Sequence, residues 1–412
     1  MLAGDVVEIK ACEVCGSTSL RSAINLGLHP MCDDLVPIGN EYVCKEYPIE
    51  IVFCDGCRTA HQRFQIPKRE LFPSTYHYRS RHTADVLNGM KDLVSAFEAQ
   101  FGSVKGKKVL DVGCNDGSLL SFFFERGALP FGIEPTGAAR DAASRGYTII
   151  NDFLSEDVAA KFVSAYGRPD IITFTNVFAH IEHLNEVIRA LKLAVHPGTV
   201  IVIENHYLGA ILDKSQFDTF YHEHPRTYSL TSFVHIAKSL GMRIIVAEFP
   251  KRYGGNIRVM LSVENAAFDI QETLQKVDSV EKAFGKRLDQ LAAKVELWRR
   301  NKSDVLNNIV SQHGPLRAKA FPGRAAIPIK MLGLSNAQIS AAYEKPGSAK
   351  IGHYIPGTRI PIHSDDVFPI DGSENVAVLN LAWHIADEIK NYLRQRGYVG
   401  AVIDIISPED FD

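Results

Sequence analysis

The segment VLDVGCNDGSLL, residues 109–120, decides the fold of the central part of this chain. Its apolar beginning is typical of a short buried strand, and its apolar end is typical of a core helix. Between the two, Gly113 and Gly117 let the backbone approach a ligand closely, and the N-terminus of the following helix offers free N–H groups. Glycines at this spacing are weak evidence for a ligand site on their own, because many strand–helix turns need one.

The sequence after this turn alternates between strand and helix patterns. Such alternation is typical of a parallel sheet covered by helices on both faces, so we predict an α/β fold with a central Rossmann-like domain. The strand patterns are PFGIEP (130–135), YTIIN (147–151), PDIITFTNV (169–177) and GTVIVIEN (198–205), and the helix patterns include TGAARDAASRG (136–146) and LNEVIRALKLAV (184–195).

An acidic residue after the second strand indicates which ligand the turn binds. Glu134 lies at the end of the second strand, in FGIEP (131–135), about twenty residues after the turn. A carboxylate at this place can accept hydrogen bonds from both ribose hydroxyls of a nucleoside. The glycine spacing is not G-x-G-x-x-G, and no cradle for a pyrophosphate is evident. S-adenosylmethionine (SAM) therefore fits better than NAD, which stays the alternative. We expect Asp111 and Asn115 near the methionine and ribose end of SAM, and Asp152 near its adenine.

The N-terminal part contains two C-x-x-C pairs, Cys12 with Cys15 and Cys54 with Cys57. Two such pairs complete a tetrahedral site of four thiolates, and four protein ligands leave no open position, so we predict a structural zinc. Unpaired core cysteines and a redox C-x-x-C are the alternatives, and two pairs in a chain of cytosolic composition favour zinc over both. The other cysteines are given no metal role: Cys32, Cys44 and Cys114.

Composition and charge limit the partners. The net charge of −3 gives no reason to expect nucleic acid or an anionic membrane, and no apolar run approaches the length of a membrane span. The first residues lack the apolar segment of a signal peptide, so we expect a cytoplasmic protein. A chain of 412 residues suggests more than one domain.

Four parts follow from the patterns along the chain. An apolar stripe from Leu274 to Val295, at steps of three and four residues, predicts one long helix that links two α/β domains. We expect a zinc-binding β module at residues 1–75, a methyltransferase domain at 76–268, the linking helix at 269–315 and a smaller α/β domain at 316–412.

The order of the motifs resembles one family over nearly the whole chain. Between and after the C-x-x-C pairs come NLGLHPMCDDL (25–35), YHYRSRH (76–82), DVGCNDGSLL (111–120), YHEHPRTYSL (221–230) and IPGTRIPI (355–362). This order is similar to that of the nucleotide-sugar C-methyltransferases, zinc-containing and SAM-dependent enzymes that methylate C3 of dTDP-linked 4-keto-6-deoxy sugars. The resemblance implies a zinc module, a central methyltransferase domain and a C-terminal Rossmann-like domain around the active site. It also implies a nucleotide-sugar substrate, with dTDP or GDP as the nucleotide, and a monomer.

The resemblance includes the family's string of tyrosine, histidine, glutamate and histidine, present here as Tyr221, His222, Glu223 and His224. Forming a carbon–methyl bond on a keto sugar requires a base that removes the proton beside the carbonyl, and a donor to the enolate oxygen. If the backbone is helical here, Tyr221 and His224 share one face and His222 points elsewhere. We predict His224 as the base and Tyr221 as the enolate donor, with Glu223 orienting the imidazole or contacting the sugar.

Several other side chains are candidates with a structural alternative. Tyr76, Tyr78 and His82 lie in an aromatic and basic linker that either closes over the ligands or forms a seam between domains. His180 and His183 follow the fourth strand, and only His180 is expected to face the ligand. Lys350, Tyr354 and Arg359 either hold a nucleotide diphosphate or form a solvated loop. Trp383 is expected in the core.

Two stretches depart from the family. YGGN (253–256) replaces the usual HGGS, and the region from Phe321 to Gly333 replaces a glycine-rich turn. Both could touch the substrate, so the sugar, its nucleotide and the methylated carbon stay open.

Three other functions compete with this reading. They are a hydrolase whose catalytic metal is held by His222 and His224, an NAD-dependent nucleotide-sugar oxidoreductase, and a silent binding protein. The intact string from Tyr221 to His224 argues against the silent binding protein.

Overall fold

The computed structural model describes residues 6–74, 76, 78–263, 270–370 and 377–412, without the side chain of Tyr253. The predicted boundary at residues 268 and 269 lies outside this range, as do Thr75 and His77 of the aromatic linker. Among the helices within this range, none combines the length and the apolar character that crossing a lipid bilayer requires.

The N-terminal part is an antiparallel β module. Its strands β2 and β4 form a long hairpin, and β5 pairs with β4 on the other side. Cys54 ends β4, and the turn that follows carries Cys57 before β5 begins. The elements are β1 (Val7–Glu8), β2 (Leu20–Pro30), β3 (Val36–Pro37), β4 (Glu46–Cys54), β5 (Thr59–Gln62), β6 (Phe64–Gln65) and α1 (Lys68–Leu71).

The central part contains a seven-stranded sheet flanked by helices. Its elements are α2 (Ala84–Phe101), β7 (Lys108–Val112), α3 (Ser118–Phe124), β8 (Leu129–Ile133), α4 (Ala138–Ser144), β9 (Thr148–Ile150), α5 (Glu156–Tyr166), β10 (Ile171–Thr175), α6 (Leu184–Ala194), β11 (Val200–His206), α7 (Leu208–Asp213), β12 (Arg226–Thr227), α8 (Leu230–Leu240), β13 (Arg243–Glu248) and β14 (Asn256–Ser262).

The order of the strands places the ligand edge. It is β13-β14-β11-β10-β7-β8-β9, with β7 to β11 parallel and β14 antiparallel to both of its neighbours. The chain leaves β7 toward β8 on one side and later enters β10 on the other, so the crevice outside their carboxyl ends is a topological switch point. The predicted α/β fold is confirmed.

Alternate residues of the inner strands bury both faces of this sheet. Val109 and Ile171 pack with α2 and α3 on one face, and Leu110 and Ile172 pack with α5, α6 and α8 on the other. Successive side chains of a strand point to opposite faces, so a strand buried on both sides reads as a continuous apolar run.

The C-terminal part is a second α/β unit. Its five-stranded sheet is parallel, in the order β18-β16-β15-β19-β20. The elements are α9 (Gln271–Glu281), α10 (Phe284–His313), β15 (Leu316–Lys319), α11 (Ala326–Met331), β16 (Ile339–Glu344), β17 (His353–Tyr354), β18 (Ile362–Ser364), β19 (Val378–Asn380), α12 (Ala386–Gln395) and β20 (Val402–Asp404).

The predicted single linking helix is two helices, α9 and α10. The buried carboxylate of Glu281 ends α9 by accepting hydrogen bonds from the backbone N–H groups of Leu230 and Thr231, at the start of α8. These bonds attach the end of α9 to the central domain, and α10 packs against the N-terminal and C-terminal parts. Val280, which the periodicity placed in the apolar stripe, is 53% exposed.

Candidate active site

A cavity of about 850 Å³ opens at the carboxyl edge of the central sheet, outside β7 and β10. All three parts of the chain contribute to its wall, among others Asp33 from the N-terminal part, Glu134 and His224 from the central part, and Lys350 from the C-terminal part. Ligand pockets commonly span about 300–1,000 Å³, so this cavity lies near the upper end of that range.

The glycine turn forms one end of the cavity. Gly113 has a φ of 71°, and a Cβ atom there would lie 2.6 Å from a methyl carbon of Val177, so only glycine fits. Glu134 lines the same end, and its carboxylate accepts hydrogen bonds from the backbone N–H groups of Asn115 at 2.9 Å and Thr136 at 2.8 Å. The turn and the acidic residue are therefore held together before any ligand binds.

The aromatic linker closes over this turn. The side chain of Asn115 accepts a hydrogen bond from the N–H of Ser80 at 3.0 Å and donates one to the carbonyl of Tyr78 at 3.2 Å. Tyr76, Tyr78 and His82 all line the cavity. Of the two readings that the sequence left open for this linker, the geometry matches closure over the ligand site.

Two of the predicted cofactor residues lie away from the cavity wall. Asp111 is buried behind the turn, where its carboxylate accepts a hydrogen bond from the Thr173 hydroxyl at 2.7 Å. Burial raises the pKa of Asp111 to about 7, and the nearby charge of Glu134 adds to this shift. Gly117, with a φ of 76°, starts helix α3 and lies against Ala142. Both residues support the turn, whereas Asp152 lines the cavity as expected.

The segment from Tyr221 to His224 forms a turn at the other end of the cavity. The His224 N–H donates to the Tyr221 carbonyl at 2.9 Å, and the two rings lie 4.3 Å apart between centroids. The pairing of Tyr221 with His224 that a helix would give is thus produced by a single turn. His222 points the other way, where its Nε2 lies 3.1 Å from the Tyr47 carbonyl.

The separation of the two histidines bears on the hydrolase alternative. His224 lines the cavity and His222 is buried against Tyr47 outside it, so the pair does not converge on one metal ion. Across the part of the chain that the structure describes, the only grouping of metal-ligating side chains is the four-cysteine cluster. The described residues therefore do not form the catalytic metal site that the hydrolase alternative requires.

The His224 imidazole is fixed in one tautomer. Its Nδ1 lies 3.0 Å from the Thr219 carbonyl and must donate a proton to it, which leaves the lone pair of the neutral ring on Nε2. Burial, followed by the neighbouring rings of His180 and His206, lowers the pKa of His224 well below its ordinary value. The ring is therefore neutral near pH 7 and able to accept a proton.

His180 and His206 surround His224. Their ring centroids lie 4.9 Å and 5.4 Å from that of His224. Burial lowers the pKa of His180 to about 4 and that of His206 to about 3. Sequence reasoning named His180 and missed His206, although His206 ends β11 at the same carboxyl edge and the same argument from strand ends would have found it.

Glu223, the third residue of the string, lines the cavity together with Asp33 of the N-terminal part. Its carboxylate accepts a hydrogen bond from the Tyr76 hydroxyl at 3.2 Å. Burial, followed by the negative charge of Asp33, raises the pKa of Glu223 to about 8. Asp33 belongs to the NLGLHPMCDDL motif, and sequence reasoning gave it no role. Near pH 7 Glu223 is mostly protonated and can donate a hydrogen bond into the cavity. The hydrogen-bond partner of His224 Nδ1 is the Thr219 carbonyl, not the Glu223 carboxyl.

The remaining candidates fall into two groups. His183 and Lys350 line the cavity, and Lys350 Nζ donates to the Phe321 carbonyl at 2.8 Å. Tyr354 and Arg359 instead connect the N-terminal and C-terminal parts, since the Tyr354 hydroxyl accepts from the Gly39 N–H at 3.3 Å and Arg359 donates to the backbone carbonyls of residues 40–42.

The four predicted zinc ligands converge. Their Sγ atoms all lie within 4.8 Å of one another, with 3.3 Å between Cys12 and Cys57 and 3.6 Å between Cys15 and Cys54. Zinc–sulfur bonds of about 2.3 Å in a tetrahedron require sulfurs about 3.8 Å apart, so the cluster fits a zinc ion. His61 Nε2 lies 3.3 Å from Cys12 Sγ, where it can donate to a thiolate.

The zinc cluster adjoins the segment that contains the turn of residues 221–224. Strand β12 pairs with β5, the strand that follows the Cys57 turn, so that Arg226 lies opposite His61 and Thr227 opposite Ala60. The buried Arg226 guanidinium also donates to the carboxylate of Glu13, which lies between Cys12 and Cys15. The metal-binding part is therefore part of the wall that holds residues 221–224 in place.

Comparison with known proteins identifies the class. Models for a zinc binding domain, a methyltransferase domain and a C-methyltransferase C-terminal domain match residues 12–72, 80–246 and 251–404. The chain is 25% identical to C-methyltransferase NovU of Streptomyces niveus over 407 residues, which are 95% of each chain.

Other similarities are confined to the central part. Ubiquinone biosynthesis O-methyltransferase of Escherichia coli (strain K12 / DH10B) is 33% identical over 102 residues, 24% of this chain and 42% of that enzyme. The chain thus spans less than half the length of that relative. Magnesium protoporphyrin IX methyltransferase (ChlM) of Synechocystis PCC 6803, solved with bound SAH, is 14% identical and covers 48% of this chain and 93% of its own at a TM-score of 0.35.

The fold, the glycine turn and the matched models define a SAM-dependent methyltransferase that carries a structural zinc. The C-terminal model and the similarity to C-methyltransferase NovU over nearly the whole chain make it a SAM-dependent C-methyltransferase, as the order of its motifs predicted. The predicted cofactors, SAM and zinc, are confirmed with it. The methyltransferase match favours SAM over NAD, so the oxidoreductase alternative is set aside.

Proposed function

We propose that this enzyme methylates C3 of a nucleotide-linked 4-keto deoxysugar, with His224 as the base. The observation that carries this proposal is the position of the neutral His224 ring beside Tyr221, in the same cavity as the glycine turn. The catalysed bond is then formed between an enolate carbon of the sugar and the methyl group that SAM supplies. The similarity to C-methyltransferase NovU supports a C-methylated product.

Three residues of the string, Tyr221, Glu223 and His224, have distinct tasks in this mechanism. His224 Nε2 accepts the proton from the carbon beside the keto group, and the electron pair of that C–H bond moves into the enolate. The Tyr221 hydroxyl donates a hydrogen bond to the enolate oxygen. Burial raises the pKa of Tyr221 well above its ordinary value, so it keeps the proton that this bond needs. Glu223, held by Tyr76, donates a hydrogen bond to a hydroxyl of the sugar.

The cofactor end uses groups that already face the cavity. We assign Gly113 and Asn115 to close backbone contact with SAM, Glu134 to its ribose hydroxyls and Asp152 to its adenine. Asp111 and Gly117 do not reach the cavity, so they affect SAM binding only indirectly, by supporting the turn. Tyr76 lies between the two ends, where its position suits a contact with either ligand.

We assign the nucleotide diphosphate to the rim that the C-terminal part forms. Lys345 and Lys350 lie in one loop of the C-terminal part, between β16 and β17, and both line the cavity. Ammonium groups bind phosphate oxygens as point charges, and this loop brings two of them to the same rim. The nucleotide, dTDP or GDP, and a monomeric, cytoplasmic enzyme stay predictions from the sequence.

The experiment that tests this function incubates the protein with SAM and a panel of dTDP-, GDP- and CDP-linked 4-keto sugars. Mass spectrometry of the products should show the gain of one methyl group on at least one sugar, and NMR should place it on carbon. Isothermal titration with SAM and with NAD tests the cofactor separately. A methyl group found on oxygen, or no methylated product with any sugar while SAM binds, contradicts the proposal.

A further inference from the structure

Arg324 occupies a fixed position beside the catalytic turn. It lies in the short 3₁₀ turn Gly323–Ala325, which follows β15 at the carboxyl edge of the C-terminal sheet. Arg324 is part of the cavity wall, although its side chain is only 14% exposed. Arg324 falls in the stretch from Phe321 to Gly333 that the sequence analysis left without a role.

Three neighbours hold the guanidinium in one orientation. Its Nε lies 3.2 Å from the fully buried carboxylate of Asp218, and its Cζ lies over the Trp383 ring, 5.3 Å from the ring centroid. The indole N–H of Trp383 donates to the same Asp218 oxygen at 2.9 Å, and Arg324 Nη1 lies 3.4 Å from the Thr219 hydroxyl. Trp383, expected in the core, is half-buried and forms this support.

The charge of Arg324 acts on the catalytic residues. It is among the causes that lower the pKa of His224 and of His206, and it opposes the rise in the pKa of Tyr221. A guanidinium stays protonated at every physiological pH, so this influence is permanent. Arg324 thus approaches the region of the cavity in which His224 and Tyr221 meet.

The neutralisation of Arg324 by Asp218 decides what it can bind. Asp218 balances much of the charge of Arg324, so Arg324 suits a diphosphate less well than Lys345 and Lys350 do. A guanidinium has five N–H donors; here Nε faces Asp218 only as an ion pair, and Nη1 donates one hydrogen bond to the Thr219 hydroxyl. The remaining N–H groups can donate to one oxygen that gains charge during the reaction.

We infer that Arg324 is a catalytic residue that donates to the keto oxygen of the substrate and stabilises the enolate together with Tyr221. This inference rests on the proposed function of the same site. In the step concerned, the C–H bond beside the carbonyl breaks and its proton goes to His224 Nε2. The bonding pair forms the C=C bond of the enolate, and the π electrons of the carbonyl move onto the oxygen that Arg324 and Tyr221 hold. The enolate carbon then attacks the methyl group, the carbonyl re-forms, and the C–S electron pair stays on sulfur.

The test measures exchange of the substrate's α-proton in deuterated water by NMR, beside methyl transfer, on a keto sugar that the wild type methylates. R324Q alone would leave Asp218 as an unpaired buried charge, so the double variant D218N/R324Q is compared with D218N. We expect about a 10²- to 10³-fold loss of kcat for both exchange and methylation, as for the removal of one oxyanion donor. R324K, which keeps the charge and loses the planar fork, should lose about tenfold.

Controls separate folding, binding and chemistry. SAM affinity and zinc content report folding of each variant, and R394Q, an exposed arginine on α12, is the matched control that keeps full activity. A rise in KM with kcat unchanged would place Arg324 at the nucleotide and overturn the inference, as would exchange at the rate of the D218N reference. Should the wild type methylate no keto sugar, the proposed function itself has failed, which is a distinguishable result.

Discussion

The rings of Tyr221 and His224 lie 4.3 Å apart between centroids, tilted by 41°. His222 lies between these two residues in sequence, but its ring is buried against Tyr47 on the other side. A single turn of the backbone thus directs Tyr221 and His224 to the cavity and His222 away from it. The His224 N–H donates to the Tyr221 carbonyl, and this bond closes the turn. The assignment of the base depends on this geometry, and it can be tested directly.

Substitution of the base should abolish both partial reactions. We expect H224A to lose methyl transfer and α-proton exchange by about 10²- to 10⁴-fold, the range for removal of a general base. NMR in deuterated water with the methylated keto sugar measures exchange, and calorimetry should show SAM binding unchanged. H313A, at the exposed end of α10, is the matched control. Wild-type exchange in H224A would mean that another residue is the base.

The protonated state of Glu223 should appear in the pH dependence of stability. Its pKa is raised, mainly by burial, from 4.5 to about 8, so the folded protein holds this proton more tightly than the unfolded chain does. Below about pH 4.5 both states are protonated, and the wild type loses stability as the pH rises from there through 8. E223Q cannot ionise, so its melting temperature relative to wild type should be higher at pH 8.5 than at pH 5.

The control for this measurement is E41Q, which changes an exposed glutamate. Its difference from wild type should stay constant across the same pH range. A pH-independent difference for E223Q would show that the Glu223 carboxyl is not held protonated in the folded enzyme.

Removal of one zinc ligand should destabilise the whole active-site wall. C54S should lose about one zinc ion per chain, measured by plasma emission spectrometry, because a hydroxyl does not replace a thiolate ligand. Metal binding contributes several kcal/mol to folding, and each kcal/mol moves the melting temperature of a domain this large by about 2–4 °C, so we expect a fall of roughly 10 °C or more.

Cys44 offers the matched control for C54S. Its sulfur donates to the Asp34 carbonyl and accepts from the Gly357 N–H, both at 3.3 Å, and a serine hydroxyl can make the same two bonds. C44S should therefore keep its zinc. Full zinc content in C54S would mean either that the metal binds elsewhere or that Cys54 is not required as a ligand.

Glu134 should contribute to SAM affinity through its charge. E134Q keeps one acceptor for the backbone of the turn and loses the ionised carboxylate, and hydrogen bonds to charged groups are worth about 1.5–3 kcal/mol. We expect the Kd for SAM, measured by isothermal titration, to rise about tenfold or more. E125Q, an exposed change just after α3, should bind SAM as the wild type does. Equal affinity in E134Q would remove Glu134 from the ribose contact.

Much of the fold could be read from local patterns. The glycines of residues 109–120 and the alternation around them predicted the central α/β domain, because a buried parallel strand and a strand–helix turn each have a composition of their own. The spacing of the cysteines predicted a cluster that the tertiary structure brings together. The prediction of a single linking helix was wrong: the chain forms α9 and α10, and the contact of Glu281 with the start of α8 beside this break is one that no periodicity reveals.

The sequence was sufficient for the class of this protein: a glycine turn, two C-x-x-C pairs and the order of the motifs are local signals, and they identified a zinc-containing C-methyltransferase. Which residues line the site, and which only support it, could be decided only from the tertiary structure. His206, Asp33 and Arg324 reach the cavity from segments far apart in sequence, and Asp111 and His222 turn away from it. Which side chains share a cavity follows from how distant strands and loops pack, and the spacing of residues along the chain does not record that packing.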